Sequence, residues 1–308
     1  MRILVTGAGS SSGICTILAL KESTDDIIFG CDCNEYSPGL YLADENFIVL
    51  MAKDEDKFIE QIANKVEEYN IDAIFPNVDE ELPIFARNTP DIPCNVIISP
   101  FSTIDTCNDK LKSMSELENI VPLPLMGDIP PPFCIKPKIG RGSRDIYKVE
   151  NKRELDALLE YLSLKGINNS DLIIQEYLPG KEYTVDALFD ANGGLVVAVP
   201  RRRARIFGGA SLVGITERNG QLISLVGNIS RKLRFLGPVN FQFKEDKESI
   251  PKLIEINPRC SGGMVITLKS GVNLPKLALS ILKEKEILED ELQWEERTVF
   301  RYLTEVEI

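Results

Sequence analysis

Short apolar runs alternate with helical stretches through the first part of the chain, and this alternation constrains the fold most. The runs occupy residues 3–5, 27–29, 47–50, 73–75 and 96–98. Between the third and fourth runs, Phe58, Ile62, Val66 and Tyr69 recur at the spacing of one helix face. Alternating strands and helices indicate a parallel sheet covered by helices. We therefore predict the α/β class, with a Rossmann-like unit at the start of the chain.

Length, charge and hydropathy restrict the choices further. A chain of 308 residues, 44% hydrophobic and 27% charged, is long enough for two globular domains. The net charge of −12 argues against nucleic acid or an anionic membrane as the main partner. No apolar run reaches the ~20 residues of a membrane-spanning helix, and the first residues do not resemble a signal peptide.

Two residue counts exclude whole classes of chemistry. The chain has no histidine, which rules out histidine-based triads, HExxH metal sites and histidine acid–base catalysis. Its seven cysteines form no CxxC pair, so neither a disulfide framework nor a structural zinc site is expected. A reducing cytoplasm is the expected location.

A loop rich in glycine and serine, residues 7–13, follows the first strand. A dinucleotide-binding fingerprint would place its third glycine where Ser12 stands. The loop is either a phosphate cradle at a helix N-terminus or a tight strand-to-helix turn, and the pattern favours the turn. Asp32 leaves the same choice open, as a ribose-binding acid or as a polar strand end.

A proline-rich segment at residues 119–132 predicts a linker or a stiff entry into a new lobe. The strand that follows carries Lys136 within an apolar run and leads into a loop rich in glycine and basic residues. Such a loop offers backbone N–H groups to phosphates. Lys136 is therefore more consistent with a binding site than with an exposed surface.

Polar side chains interrupt a later apolar strand, residues 251–257. Alternation along a strand places Leu253, Glu255 and Asn257 on one face and directs Ile254 and Ile256 to the opposite core. The question is why a carboxylate and an amide should share one face of such a strand.

The preceding strand repeats the pattern, with Asn240 and Gln242 on one face. A short charged turn joins the two strands, so we predict an antiparallel pair that brings Gln242 beside Glu255 and Asn257. One carboxylate and two amide oxygens suit Mg²⁺ or Mn²⁺. The alternative is a pair of amphipathic strands with a polar face in solvent.

A cluster of four arginines lies at residues 201–205. One or two of them could hold a substrate carboxylate or a transferring phosphoryl group in fork geometry. A solvated basic run on an acidic protein explains the cluster equally well, and the sequence does not choose among the four.

"VNFQF" followed by "PKLIEINPRCSGG" resembles the metal-binding end of the ATP-grasp superfamily, more narrowly the carbamoyl phosphate synthetase large-subunit type. "DK" at residues 109–110, "CIKPKIGRGSR" and "IIQEYLPGKEYTVD" follow the same order of motifs. The resemblance implies a Rossmann-like pre-ATP-grasp domain at 1–102 and a two-lobed α+β ATP-grasp domain at 103–308. Its lid lobe would cover about 119–177 and its metal-binding lobe about 178–308.

The resemblance also implies roles for individual residues. Lys110 and Lys136 would contact the phosphates of ATP, whereas Lys148 would take no part. The implied nucleotide-binding residues beyond these lysines are Gly140, Gly142, Ser143, Gln175, Glu176, Tyr177, Leu178 and Glu182. Two Mg²⁺ or Mn²⁺ ions would be held by Gln242, Glu255 and Asn257. Arg259, Arg201 and Arg203 are the implied catalytic cations.

From this resemblance we expect an ATP-dependent ligase that joins a carboxylate to an amine through an acyl phosphate, with ADP and phosphate as products. Both substrates would be small molecules, amino acids among the candidates. Phosphorylation of bicarbonate or carbamate is one alternative. A non-catalytic module that binds a nucleotide or NAD(P) is another. The resemblance leaves room for a homodimer, while the sequence itself does not define the oligomeric state.

Overall fold

Three sheets carry the fold in the computed structural model, which describes residues 1–23, 25–140 and 145–307. The first sheet is parallel, with the order β3-β2-β1-β4-β5. Its strands are β1 (Arg2–Thr6), β2 (Ile27–Asp32), β3 (Glu45–Ile48), β4 (Ala73–Phe75) and β5 (Asn95–Val96). The predicted parallel unit is therefore confirmed, although the edge strands β3 and β5 lie slightly earlier than their apolar runs.

Helices cover both faces of this sheet. They are α1 (Ser11–Ser23), α2 (Pro38–Leu42), α3 (Glu55–Tyr69), α4 (Leu82–Asn88) and α5 (Phe101–Asn108). The helix predicted from its apolar spacing is α3, and Phe58, Ile62 and Val66 are buried on it as expected. Asn70 caps its C-terminal end, with a φ of 50° in the left-handed region.

A three-stranded antiparallel sheet of order β7-β6-β8 comes next. Its strands are β6 (Phe133–Pro137), β7 (Tyr147–Val149) and β8 (Leu172–Glu176), and α6 (Lys110–Glu116) and α7 (Lys152–Leu164) belong to the same part of the chain. Asn151 caps α7 by accepting from the N–H of Glu154 at 3.0 Å. Leu155 and Leu162 of α7 are buried in one cluster with Phe133 and Ile135, so this small sheet has its own apolar core.

The largest sheet is antiparallel and has the order β13-β12-β9-β10-β11-β14. Its strands are β9 (Glu182–Phe189), β10 (Leu195–Phe207), β11 (Ala210–Thr216), β12 (Gly237–Glu245), β13 (Pro251–Asn257) and β14 (Thr298–Phe300). The helices α8 (Gly220–Lys232), α9 (Val265–Ser270) and α10 (Leu274–Leu282) complete the fold, with short 3₁₀ turns at Thr89–Asp91, Asn169–Asp171 and Glu289–Leu292.

The predicted antiparallel pair of β12 and β13 is confirmed, but its side-chain alternation is not regular. Gln242 pairs with Glu255, and the next pair is Phe243 with Leu253, so Ile254 is left as a β-bulge. Leu253 and Ile256 are therefore buried in one core, whereas Ile254 lines a cavity with Glu255. The expectation that Leu253 shares the face of Glu255 was wrong because the bulge shifts the alternation by one residue.

One apolar core joins the parallel sheet to the large antiparallel sheet. Ile3 and Val5 of β1 pack in the same buried cluster as Leu188 of β9 and Val199 of β10. Asn273, the cap of α10, also donates its side-chain N–H to the carbonyl of Ala19 at 2.7 Å. The start of the chain is thus fixed against the sheet that carries β12 and β13. No helix in the described residues is long and apolar enough to cross a membrane.

Phe241→Ala should destabilise the fold strongly. Phe241 is fully buried, and its ring lies 5.3 Å from that of Phe235 and 6.2 Å from that of Phe189. Truncation of a buried phenylalanine costs about 3–5 kcal/mol because it leaves a cavity. Urea unfolding measures the loss. Phe207→Ala is the control, since Phe207 is 76% exposed and its removal should change stability by less than ~0.5 kcal/mol.

Candidate active site

Glu255 lies at the junction of three neighbouring cavities and lines each of them. The first cavity, about 360 Å³, lies between the three-stranded sheet and the large sheet. The second, about 210 Å³, lies between the large sheet, the start of α1 and the hairpin of β10 and β11. The third, about 90 Å³, adjoins α5 and residues 79–82. A carboxylate in this position can act on ligands in adjoining cavities.

The three predicted metal ligands lie together, and a cationic side chain contacts each of them. Lys110 Nζ lies 3.0 Å from Glu255 Oε1. Arg203 Nη1 donates to Gln242 Oε1 at 3.5 Å. Arg259 Nη2 donates to Asn257 Oδ1 at 3.4 Å. The sheet therefore presents one carboxylate and two amide oxygens, and each of these groups is in contact with a lysine or an arginine.

The side-chain oxygens of Gln242, Glu255 and Asn257 supply only part of the coordination shell of a hard divalent cation. Carboxylate and amide oxygens are suitable ligands for such ions. Within residues 1–23, 25–140 and 145–307, however, no group of three or more Asp, Glu, Cys or His side chains could hold a metal ion. An ion here would complete its coordination with water or with the oxygens of a bound ligand, as Mg²⁺ commonly does.

Lys110 and Lys136 bring two buried ammonium groups to the wall of the first cavity. Asp109 fixes the first turn of α6 by accepting from the N–H of Leu111 at 2.8 Å, and Lys110 Nζ donates to the carbonyl of Gly140 at 2.6 Å. Lys136 Nζ donates to the carbonyl of the bulged Ile254 at 3.0 Å. Both predicted phosphate-binding lysines thus lie next to Glu255.

Burial changes the protonation of Lys136. It lowers the pKa of Lys136 from its ordinary 10.5 to about 8, although the nearby Glu255 carboxylate opposes the shift. A buried lysine of this kind lowers the stability of the fold while its ammonium group is charged. Perturbed groups of this kind in a cavity are candidates for functional roles.

The segment from the end of β8 to the start of β9 (residues 175–182), called the hinge below, forms one side of the first cavity. Gln175, Tyr177, Leu178 and Glu182 line the cavity there. Glu176 does not line it: this carboxylate pairs with Lys252 at 2.5 Å and accepts from the N–H of Leu125 at 2.8 Å. The backbone N–H groups of Glu176 and Tyr177 donate to the carbonyls of Leu125 and Pro132. The N–H of the next residue, Leu178, has no acceptor among the residues that the structure describes, so it can donate to a ligand.

Three further observations concern this cavity. Gln175 is 2% exposed, and its side-chain oxygen has no hydrogen-bond partner among the described residues. Glu182 pairs with Arg203 at 2.5 Å and with Lys244 at 3.7 Å. Lys148 lies 4.5 Å from the centre of the Tyr177 ring and lines the same cavity, so the structure does not separate Lys148 from the site.

Gly140 of the predicted phosphate loop lines the first cavity as well. Gly142 and Ser143, the other two loop residues to which we assigned nucleotide binding, lie outside the described residues.

The structure distinguishes the four clustered arginines. Arg201 and Arg203 line the second cavity, whereas Arg202 pairs with Glu217 at 2.5 Å and Arg205 is exposed. Arg201 is almost fully buried, and its Nε lies 2.7 Å from Asp186 Oδ2. Burial lowers the pKa of Arg203, with Glu182 opposing the shift.

A carboxylate from the loop that follows β4 holds Arg259. Its Nε and Nη2 atoms lie 2.5 and 2.7 Å from the two oxygens of Asp79, which follows β4. Burial alone would lower the pKa of Arg259, but the Asp79 carboxylate raises it above the ordinary value. Sequence reasoning missed Asp79, although the polar run directly after an apolar strand was a usable signal. The carboxyl ends of parallel strands are where ligand crevices form.

The glycine-serine loop also reaches this crevice. Ser12 Oγ donates to the carbonyl of Cys260 at 2.6 Å and lies 2.8 Å from Asn77 Oδ1. Asp32 instead accepts from the N–H groups of Gly9 at 2.7 Å and Asn34 at 3.0 Å. Those bonds match the structural interpretation of Asp32, while Ser10, Ser11 and Ser12 line the second cavity.

Two family models match separate parts of the chain. Residues 3–97 match the model described as "PylC-like, N-terminal domain", and residues 168–306 match "ATP-grasp in the biosynthetic pathway with Ter operon". Over residues 168–306 the chain belongs to the ATP-grasp family. It is similar to the carbamoyl phosphate synthase large-chain type, as the motif order predicted.

The relatives and solved structures agree with this ATP-grasp assignment. The carbamoyl phosphate synthase large chain of Thermoanaerobacter pseudethanolicus is 28% identical over 169 residues, which is 51% of this chain and 15% of that protein. The biotin carboxylase domain of Hydrogenobacter thermophilus 2-oxoglutarate carboxylase gives a TM-score of 0.77 at 20% identity, over 95% of this chain and 72% of that one. The L-amino acid ligase of Bacillus licheniformis gives 0.71 at 16%, over 95% and 77%. These likenesses confirm the predicted fold class.

Lys136→Met should stabilise the free protein at pH 7, by on the order of 2 kcal/mol, because it removes a buried ammonium. The folded protein releases the proton of Lys136 near pH 8, whereas the unfolded chain keeps it to about 10.5. The parent therefore gains stability as the pH rises through this window, and the advantage of the variant shrinks.

Urea unfolding at pH 7 and pH 9.5 measures this change. Lys152→Met is the matched control, since the side chain of Lys152 is 77% exposed and its removal should have little effect at either pH. A Lys136→Met variant that is less stable than the parent at pH 7 would contradict the unfavourable burial.

Proposed function

We propose that this ATP-grasp protein is an ATP-dependent ligase that activates a small carboxylic acid as an acyl phosphate and transfers the acyl group to an amine. One observation carries the proposal. Glu255, with Lys110 and Lys136 beside it, lies where the first cavity meets the second. A nucleotide in the first cavity and an acid in the second would meet at this carboxylate.

The first cavity suits ATP. Its walls combine apolar side chains for a base with two buried lysines at the end nearest Glu255. At the hinge, the N–H of Leu178 and the side-chain oxygen of Gln175, which has no partner among the described residues, would bind the edge of adenine. Glu182, which reaches the ribose hydroxyls in this proposal, would exchange part of its contact with Arg203 for them. The H. thermophilus domain was solved with MgADP.

Two Mg²⁺ or Mn²⁺ ions would be bound by the side chains of Gln242, Glu255 and Asn257. Oxygens of the bound triphosphate would complete their coordination. Such ions would neutralise the phosphate charge and polarise the γ-phosphorus. The protein contributes the positioning: Lys110 already lies on the Glu255 carboxylate and can exchange it for a phosphate oxygen.

The reaction needs placement and charge neutralisation more than proton transfer, which suits a chain without histidine. A carboxylate oxygen attacks the γ-phosphorus, and the bond from that phosphorus to the bridging oxygen of ADP breaks. An amine then attacks the acyl carbon, and inorganic phosphate leaves. Arg203 and Arg259 face the junction and would stabilise the transferred phosphoryl group and the acyl phosphate, while Arg201 would hold the acid.

The division into domains and the assembly belong to the same proposal. We propose a pre-ATP-grasp domain at 1–102 and an ATP-grasp domain at 103–308, with the lid lobe at about 119–177. A homodimer is compatible with this proposal, since the H. thermophilus domain is described as a dimer. The protein would act on small molecules in the cytoplasm.

Phosphorylation of bicarbonate or carbamate is the second candidate. It is favoured by the carbamoyl phosphate synthase relatives and by the H. thermophilus domain, which was solved with bicarbonate. Product analysis with bicarbonate and ammonia separates it from the ligase. An NAD(P) module is less consistent with the structure, because Asp32 is engaged by the backbone of its own loop.

Glu255→Gln should lower ATP turnover by on the order of 10²–10³. The change removes the only carboxylate among the proposed metal ligands, so the metal ions that would neutralise the triphosphate charge would be bound weakly. The rate of ADP release is measured with a pool of amino acids and small carboxylates plus an amine. Glu60→Gln, an exposed change on α3, is the matched control and should keep the parent rate. Parent-like turnover by Glu255→Gln would disprove the assigned site.

A further inference from the structure

We propose that the second cavity takes a substrate with two anionic groups: the carboxylate that reacts, and a further carboxylate or phosphate bound by the first turn of α1. Only the position of the reacting carboxylate rests on the proposed function. The second anion site stands on separate observations in the wall of the cavity formed by α1, β11 and the segment after β13.

The first turn of α1 presents two backbone donors. Ser10 Oγ accepts from the N–H of Gly13 at 2.9 Å, and its carbonyl accepts from Ile14 at 3.0 Å. The N–H groups of Ser11 and Ser12 have no acceptor within the described part of the chain. No acidic side chain occupies this first turn. A helix of 13 residues with two such donors favours an anion.

Ser211 gives independent evidence for a ligand in the same cavity. Its side chain is 3% exposed, and its hydroxyl has no hydrogen-bond partner among the described residues. A buried hydroxyl without a partner destabilises the fold, and a ligand oxygen at this position would offset that loss.

Arg201 adds a charged donor. Its Nε and Nη2 atoms are engaged by Asp186 and Ser261. The Nη1 atom makes no hydrogen bond with the described residues, and it lies on the side of Gly263. Asp186 fixes the orientation of the guanidinium. Little side-chain conformational entropy would therefore be lost when Nη1 binds an anion.

Two glycines keep the space between these donors open. A Cβ at Gly262 would come 2.9 Å from Ser11 Cβ, and one at Gly263 would come 2.8 Å from Arg201 Nη1. Side chains at either position would displace the start of α1 or the guanidinium. The Ser-Gly-Gly sequence that follows the polar strand thus has a physical reason, because it forms the floor of the anion site.

The cavity continues from this site to Gln242 and Glu255, where the reacting carboxylate would lie. Its volume of about 210 Å³ suits a small molecule with one anionic group at each end. The substrate class is therefore a short dicarboxylic acid, or a short carboxylic acid that carries a phosphate.

Calorimetric binding to the full chain tests the proposal with three probes of similar length. Glutarate has two carboxylates, glutaramate replaces one of them by a neutral amide, and 4-phosphonobutyrate replaces one by a phosphonate. The parent should bind glutarate at least about 10-fold more tightly than glutaramate, because hydrogen bonds to a charged group are strong. Whichever of glutarate and 4-phosphonobutyrate binds more tightly identifies the second anion, and either result supports the site.

Ser11→Pro removes one donor without breaking the helix, since proline is tolerated at the first helical position. It should lower the affinity for glutarate about 10-fold and leave that for glutaramate unchanged. Gly262→Ala, which crowds the same turn, should act in the same direction. The control is Gly220→Pro at the first position of α8, where an added Cβ meets nothing within 4 Å.

Equal binding of glutarate and glutaramate by the parent would overturn the proposal. So would a Ser11→Pro variant that binds glutarate as tightly as Gly220→Pro does. Titration of each variant with ATP and Mg²⁺ shows whether the fold and the first cavity are intact. If the parent discriminates between glutarate and glutaramate but fails to bind ATP, the proposed ligase is wrong and the anion site stands.

Discussion

The bulge at Ile254 in β13 is the constraint on which the site depends. It lets Leu253 and Ile256 anchor the strand in the core while Glu255 stays opposite Gln242. It also turns the carbonyl of Ile254 towards Lys136, which donates to it at 3.0 Å. Bulges commonly redirect a side chain next to an active site. Without the extra residue, Leu253 would share the face of Glu255 instead of packing in the core with Ile256.

Charge pairing organises the rest of the site. Carboxylates of β9 hold Arg201 and Arg203, and Asp79, from the loop after β4 of the parallel sheet, holds Arg259. A buried cation needs such a partner, because its desolvation otherwise destabilises the fold. Lys136 instead donates to a backbone carbonyl, and its pKa falls to about 8. A polyanion in the first cavity would offset the burial of this ammonium group.

Much of the fold can be predicted from sequence patterns that involve residues close together in the chain. Helix α3 and the antiparallel pair of β12 and β13 could be predicted because periodicity and short turns are local signals. The bulge at Ile254 could not, since burial of Leu253 and Ile256 in one cluster decides it.

The ion pairs of the site likewise could not be predicted from the sequence. Arg259 meets Asp79 across 180 positions, and the partner of a guanidinium over such a separation is set by tertiary packing. The arginine cluster illustrates the same limit. The sequence made its members equivalent, whereas the register of β10 places Arg201 and Arg203 in the cavity and Arg202 against Glu217.

Oxygen transfer tests the central claim most directly, which is that a carboxylate in the second cavity attacks ATP across Glu255. An acid that stimulates ATP turnover is labelled with ¹⁸O in its carboxylate, and the inorganic phosphate released is examined by phosphorus NMR. Attack on the γ-phosphorus predicts one ¹⁸O atom in each phosphate, with ADP as the nucleotide product. Unlabelled phosphate, or AMP that carries the label, would contradict the account.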